Sequence, residues 1–263
     1  MTLLGFFLYY FFRRKTCVFI FSAGRSGSTL LKALIAEAPD TSHISEDRWM
    51  LFFLKRNRYV LYAHCYFLSK KRIIVCKRPM WFYNIRGKYP FPRLEDARVI
   101  ILVRNPVDVV LSYCRTFPKN AGQEKKVVEY WIKVYGDIVK DGFLERQNSL
   151  LVRYEDLVRD PVRITEKIFT FIGSSQKTGV STYQKPTTFE WRWCHDDTGK
   201  HIHALKVQKI SYVNTLEGRN LLEYANNLEK VVYLRNKFGY DNDWNLKDYM
   251  VPSQKVPPYK FKS

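Results

Sequence analysis

Residues 17–36 read CVFIFSAGRSGSTLLKALIA, and the period of their apolar positions changes halfway along. Val18, Phe19, Ile20 and Phe21 form a short apolar run of the buried-strand kind, whereas Leu30, Leu31, Leu34 and Ile35 recur at helical spacing. Between them Gly24, Arg25, Ser26, Gly27, Ser28 and Thr29 make a tight loop. Two glycines let backbone N–H groups converge, the following helix adds the positive end of its dipole, and the hydroxyls add donors. Strand, loop and helix therefore form an anion site with phosphate as its expected guest. Taken alone, the loop is equally compatible with a glycine-rich turn that binds nothing.

The spacing excludes a Walker A loop, which needs Gly, four residues, then Gly-Lys-Ser/Thr. Here Ser22 stands five positions before Gly27 and Ser28 follows it. The Walker lysine is missing, Arg25 is the cation inside the loop, and phosphate binding without a metal is the expectation.

The chain has 263 residues, 46% hydrophobic and 16% aromatic, enough for one large core. One domain over residues 1–263 is expected, with an aromatic and basic segment at 1–16 and a tail at 241–263. Lys and Arg number 44 against 25 Asp and Glu, a net charge of +19. Such a field attracts nucleic acid, an acidic membrane or a polyanionic cofactor alike. Cys17, Cys65, Cys76, Cys114 and Cys194 are odd in number, widely spaced and without a CxxC pair. They suggest neither a zinc site nor a disulfide framework, and fit a reducing compartment. The apolar run at residues 3–12 is too short for a membrane helix, and its positive charges follow it instead of preceding it. A cytoplasmic protein is expected; the segment either packs on the sheet edge or makes weak contact with an anionic bilayer surface.

Residues 48–94 contain twelve Lys or Arg and no Asp or Glu. Such a charge run is ordinarily a solvated face, yet this one contains Ile73, Ile74, Val75 and Cys76, a buried-strand pattern with Lys77, Arg78 and Pro79 directly after it. Ligands of open α/β sheets bind at the carboxyl ends of strands, which places Lys77 where chemistry is expected. Residues 98–115, RVIILVRNPVDVVLSYCR, repeat the strand-to-helix pattern. Val99 to Val103 are strand-like, Asn105 is a candidate N-cap, Pro106 suits the first helical position, and helical spacing continues through Val109, Val110 and Tyr113. Arg104 stands at the strand end, where a phosphoryl-transfer kinase would favour an Asp for Mg²⁺. A planar five-donor cation there suits phosphate.

These residues resemble the sulfotransferases that use 3′-phosphoadenosine 5′-phosphosulfate (PAPS). GRSGSTLL (residues 24–31) is similar to their 5′-phosphosulfate loop, and RNPVDVVLS (residues 104–112) to their 3′-phosphate motif, an Arg followed eight residues later by Ser. RYEDLVRDP (residues 153–161) and the closing Phe238-Gly239-Tyr240 resemble later family blocks, so the likeness runs through most of residues 17–240. It implies a P-loop-like α/β three-layer sandwich with a central parallel sheet. It also implies PAPS as donor with no metal, and a carbohydrate or small-molecule acceptor sulfated on oxygen or nitrogen. Gly24, Arg25, Ser26, Gly27, Ser28, Thr29, Arg104, Ser112 and Tyr154 are implied cofactor contacts, with Tyr154 toward adenine. The tyrosylprotein and carbohydrate branch is the nearer one: Glu46 falls where that branch carries a base, with Arg48 two residues on. Lys77-Arg78-Pro79 resembles its Lys-x-Pro. Arg25 and Lys77 are then expected at the oxygen between sulfur and phosphorus, and Glu46 either as general base or as the cap of a helix. Glu155 and Asp156 are expected to be structural. A metal-dependent nucleotide kinase and a nucleic-acid-binding protein are the competing functions, distinguished by Mg²⁺-dependent ATP turnover and by steeply salt-dependent nucleic-acid affinity.

Residues 124–146 show the helical periodicity of a core helix, residues 150–152 read as a fourth strand, and residues 215–237 as one long amphipathic helix. The irregular stretch 173–205 includes Phe189, Trp191 and Trp193, alternating with Glu190 and Arg192, and then Asp196, Asp197 and Thr198-Gly199. It is expected to form an acceptor wall or lid, unless core packing consumes the tryptophans. His195, His201 and His203 lack convincing metal-ligand spacing.

Overall fold

The run at Val18 becomes the middle strand of a sheet. The computed structural model describes residues 16–44, 71–79, 97–185, 201–241 and 244. Strand Thr16–Ser22 (β1) leads into helix Ser28–Ala36 (α1), followed by strands Thr41–Ile44 (β2), Ile73–Pro79 (β3) and Arg98–Val103 (β4). Helices Pro106–Thr116 (α2) and Glu124–Lys140 (α3) come next, then strand Ser149–Arg153 (β5) with helices Tyr154–Arg159 (α4) and Pro161–Ile172 (α5). Leu216–Asn226 (α6) and Glu229–Phe238 (α7) close the series. The strands pair in the order β2-β3-β1-β4-β5, all parallel, so the expected α/β architecture with a central parallel sheet is present.

Alternation along the central strands builds a layer on each face. Phe19, Phe21, Val99 and Ile101 pack with Trp131, Tyr135, Leu234 and Phe238 on one side. Val18, Ile20, Ile100 and Leu102 pack with Leu31, Leu34, Leu157 and Phe169 on the other. Parallel pairing brings the carboxyl ends of β1, β3 and β4 together. The loop after β1, Lys77 and Arg104 therefore meet at one edge of the sheet.

Four local expectations are corrected. Thr41–Ile44 is a strand pairing with β3, which makes Ser149–Arg153 the fifth strand and not the fourth; four residues carrying Thr, Ser and His hold too little apolar signal to register. Lys77 lies inside β3, which runs on to Pro79, and is opposite Ile20; its buried amine has a hydroxyl partner, so the charge does not end the strand. The helix from Glu124 stops at Lys140. The stretch 215–237 is two helices, because Asn227 ends α6 and Leu228 takes extended backbone angles before α7. Leu228 packs against the core, and Arg235 Nη1 donates to Asn226 Oδ1 at 2.8 Å across the break.

Asp40 pins the opposite end of the sheet. Its carboxylate accepts from Ser174 Oγ at 2.6 Å, from Ser175 N at 2.8 Å and from Arg72 Nη2 at 3.3 Å. Burial acts to raise its pKa, but these donors outweigh it and hold the carboxyl below its ordinary value. A lowered folded-state pKa means stability that is present above the unfolded value of about 3.9 and lost as pH falls through the folded one. Asp40→Asn is expected to lower the melting temperature by a constant amount near neutrality, the gap to the parent closing below about pH 4. Melting curves across pH with an equal gap at every pH would refute this.

Candidate active site

The loop between β1 and α1 bends through two left-handed residues, Arg25 (φ 69°) and Gly27 (φ 91°). Gly27 has no alternative: a Cβ there would lie 2.5 Å from Tyr154 Cδ2. Arg25 has a Cβ and adopts the conformation at a cost of about 1–2 kcal/mol, so its surroundings must hold it. Gly27 is also the N-cap of α1, and no side chain caps that helix. A helix start without a side-chain cap is the kind of place where anions bind.

The two basic motifs meet in space. Arg25 Nε donates to Ser112 Oγ at 3.2 Å across 87 positions of sequence, and Arg104 Nη1 donates to the Arg25 carbonyl at 3.3 Å. The Arg104 guanidinium is buried, 4.1 Å from the Tyr154 ring centroid and 3.4 Å from Asp108 Oδ2. Its Nη2 donates to the Ile210 carbonyl at 2.5 Å, while its buried Nε has no hydrogen-bond partner. An orphaned cationic donor beside an uncapped helix start is the kind of buried polar atom that a bound anion satisfies. Tyr154 has one face covered by Arg104 and its edge on Gly27, so it braces the loop and the arginine together. Loss of water raises its phenol pKa, against a smaller lowering by Arg104.

Lys77 reaches the same place from β3. Its buried amine donates to Thr29 Oγ1 at 2.6 Å, at the first turn of α1. Ser26 turns away, its buried hydroxyl 3.0 Å from Tyr135 Oη. It has backbone, not side chain, to offer a ligand. Glu46, Arg48, Trp191, Trp193, Asp196 and Asp197 lie outside the described residues.

Glu155 and Asp156 serve the scaffold, as expected. Glu155 accepts from Asn105 N at 3.0 Å, Asn105 Nδ2 at 2.9 Å and Tyr240 Oη at 2.6 Å, fixing the residue after Arg104 and tying the final turn to it. Burial pushes its carboxyl up and these donors pull it part of the way back. Asp156 pairs with Arg153 and Arg159, each at 2.6 Å.

Sequence reasoning missed a strap and two tyrosines. Residues 208–212 cross the site: the Ile210 carbonyl takes Arg104, and Ser211 Oγ at 3.2 Å and Tyr212 N at 2.5 Å donate to Asp108 Oδ1. The stretch has no period, and the Thr215 N-cap after it (Gly218 N to Thr215 Oγ1, 3.1 Å) was its one local signal. Tyr135, which periodicity assigns to the core, and Tyr130, which it does not, point hydroxyls at the loop.

A family model described as "Sulfotransferase domain" matches residues 15–192. The 3-beta-hydroxysteroid sulfotransferase of Cavia porcellus is 32% identical over an alignment 96 residues long, a match that covers 32% of this chain and 33% of that enzyme. The match thus spans about a third of that relative's length. Among solved structures, the sulfotransferase domain from the Synechococcus PCC 7002 olefin synthase superposes with a TM-score of 0.57 at 19% identity, covering 87% of this chain and 96% of that one. The sulfotransferase domain from the curacin biosynthetic pathway does so with a TM-score of 0.50 at 18% identity, covering 86% and 98%. Both likenesses speak for the fold. Among the described residues no helix is long and apolar enough to cross a membrane.

Proposed function

The chain belongs to the sulfotransferase domain family, and from that premise we propose that it transfers a sulfuryl group from PAPS to a hydroxyl or amine of a carbohydrate or small-molecule natural product. The observation that carries the reading is the junction of Arg25, Ser112 and Arg104, two motifs distant in sequence that converge beside the uncapped start of α1. The residues present suit the donor's two anionic ends. Arg104, with its orphaned Nε, and Ser112 would hold the 3′-phosphate; Arg25, the loop backbone from Gly24 through Ser28, and Thr29 would hold the phosphosulfate.

PAPS supplies an electrophilic sulfur whose in-line displacement gathers negative charge on the oxygen leaving with phosphate. Arg25 stands within the loop and Lys77 reaches Thr29 at its end from β3, and in this reading the two meet that charge as positioned donors. Glu46 is our candidate for removing the acceptor proton, and residues 189–203 for the acceptor wall. Trp191, Trp193, Asp196 and Asp197 would then set the acceptor KM while leaving the PAPS KM nearly unchanged.

The test is transfer of labelled sulfate from PAPS across an acceptor panel, with calorimetry of 3′-phosphoadenosine 5′-phosphate. Micromolar binding and labelled product are expected, with activity unchanged by chelator. No binding, or Mg²⁺-dependent turnover of ATP in place of PAPS, would overturn the reading.

A further inference from the structure

Helix α3 fills the core with one face, yet two of its tyrosines reach the anion loop. Gly24 N donates to Tyr130 Oη at 2.9 Å, and Ala23 N donates to Tyr135 Oη at 3.4 Å. Tyr135 spends its own proton on the Leu102 carbonyl at 2.8 Å, which makes its oxygen an acceptor for Ser26 Oγ as well. Tyr135 thus ties the end of β1 to β4. Tyr130 does something narrower, since its bond to the loop falls on the Gly24 N–H, in the peptide that enters Gly24, one residue before Arg25.

Arg25 holds a left-handed backbone angle that a residue with a Cβ resists. Its own carbonyl is held by Arg104 Nη1, and the amide one residue earlier, the Gly24 N–H, is held by Tyr130, so the turn is anchored on either side of the Gly24–Arg25 peptide. A Cβ at Gly24 would lie 3.6 Å from both Tyr130 Oη and Tyr113 Cε2, ordinary van der Waals contact, so space alone does not fix this peptide and the hydrogen bond is left to orient it. Burial pushes the Tyr130 phenol up to about 12, and it therefore accepts this bond as a neutral group throughout the ordinary pH range.

We propose that Tyr130 is a positioning residue: by fixing the Gly24 amide, its hydroxyl sets the left-handed turn that aims the Arg25 guanidinium at Ser112. The inference rests on the reading of this loop as the phosphosulfate site and extends it to the helix behind the loop. Without the hydroxyl the Gly24 amide is released, Arg25 relaxes toward ordinary backbone angles, and its side chain leaves Ser112.

The experiment uses Tyr130→Phe, which keeps the ring and removes the oxygen, beside Arg25→Ala and the double variant, with melting curves to establish that each is folded. In nitrogen-labelled protein without nucleotide, the Arg25 Nε–H signal, assigned by its disappearance in Arg25→Ala, is expected to shift and to exchange about tenfold faster in Tyr130→Phe. In calorimetry with 3′-phosphoadenosine 5′-phosphate, Tyr130→Phe is expected to weaken binding about tenfold in the parent and less than about twofold in the Arg25→Ala background, the non-additivity of one residue acting through another. An unchanged Arg25 signal, or an equal loss in both backgrounds, would overturn the proposal. A parent protein that binds no nucleotide would instead overturn the proposed function, and the Arg25 signal would still decide the role of Tyr130.

Discussion

Replacing Lys77 by methionine is expected to lower turnover by about 10²- to 10³-fold, the usual cost of removing one preorganised donor from a developing charge. Methionine keeps an apolar stem in a position that is only 6% exposed, so the packing of β3 survives while the amine and its bond to Thr29 Oγ1 are lost. Affinity for 3′-phosphoadenosine 5′-phosphate, which lacks the sulfuryl group, is expected to change much less, because a group that acts on the transition state lowers kcat in step with kcat/KM. Single-turnover rates and calorimetry on the same preparation check this. A fall in rate of less than about threefold would remove Lys77 from the mechanism. A fall in nucleotide affinity as large as the fall in rate would make it a binding residue.

Arg104→Ala has two consequences that can be separated. If Arg104 holds the 3′-phosphate as proposed, loss of two charge-assisted hydrogen bonds, at about 1.5 kcal/mol each, is expected to weaken nucleotide binding about 10²-fold. The change also leaves the buried Asp108 charge, 2% exposed and 3.4 Å from Arg104, without its arginine; Asn105 Nδ2, Ser211 Oγ and Tyr212 N still donate to it, so the expected loss of stability lies at or below the about 3–5 kcal/mol of an uncompensated buried pair. Adding Asp108→Asn removes that charge but turns one of its acceptor oxygens into a donor facing donors, so the double variant is expected to regain part of the stability and none of the affinity. Arg104→Lys is expected to rescue little, since an ammonium cannot reproduce the planar fork that reaches Ile210, Arg25 and a ligand together. If affinity returned with stability in the double variant, Arg104 would be a structural residue and the assignment of the 3′-phosphate site would fall.

The division between what was legible and what was not follows the range of the forces involved. The period change at Ser22 and its echo at Arg104, the glycines of the loop, and the Asn105 cap with Pro106 behind it are set within a few residues of chain. Those local signals were enough to read strand, loop and helix twice, and with them the loop and Arg104. Helical periodicity likewise reported that α3 buries a face, but a period describes which side of a helix is covered and says nothing of what covers it. That Tyr130 and Tyr135 meet the loop, more than a hundred positions earlier, depends on β4 lying beside β1 and on α3 packing over both. The same holds for Asp108, whose partners on the strap lie 103 and 104 positions away, and for Tyr154, whose place between Gly27 and Arg104 is fixed by β5 joining the sheet next to β4. The sequence by itself thus determined the two strand–loop–helix units that carry the loop and Arg104, because periodicity and caps are decided by near neighbours. Only the tertiary structure decided which hydroxyls, carbonyls and carboxylates hold Arg25 and Arg104, because those partners become neighbours only once the parallel crossovers have set the strand order.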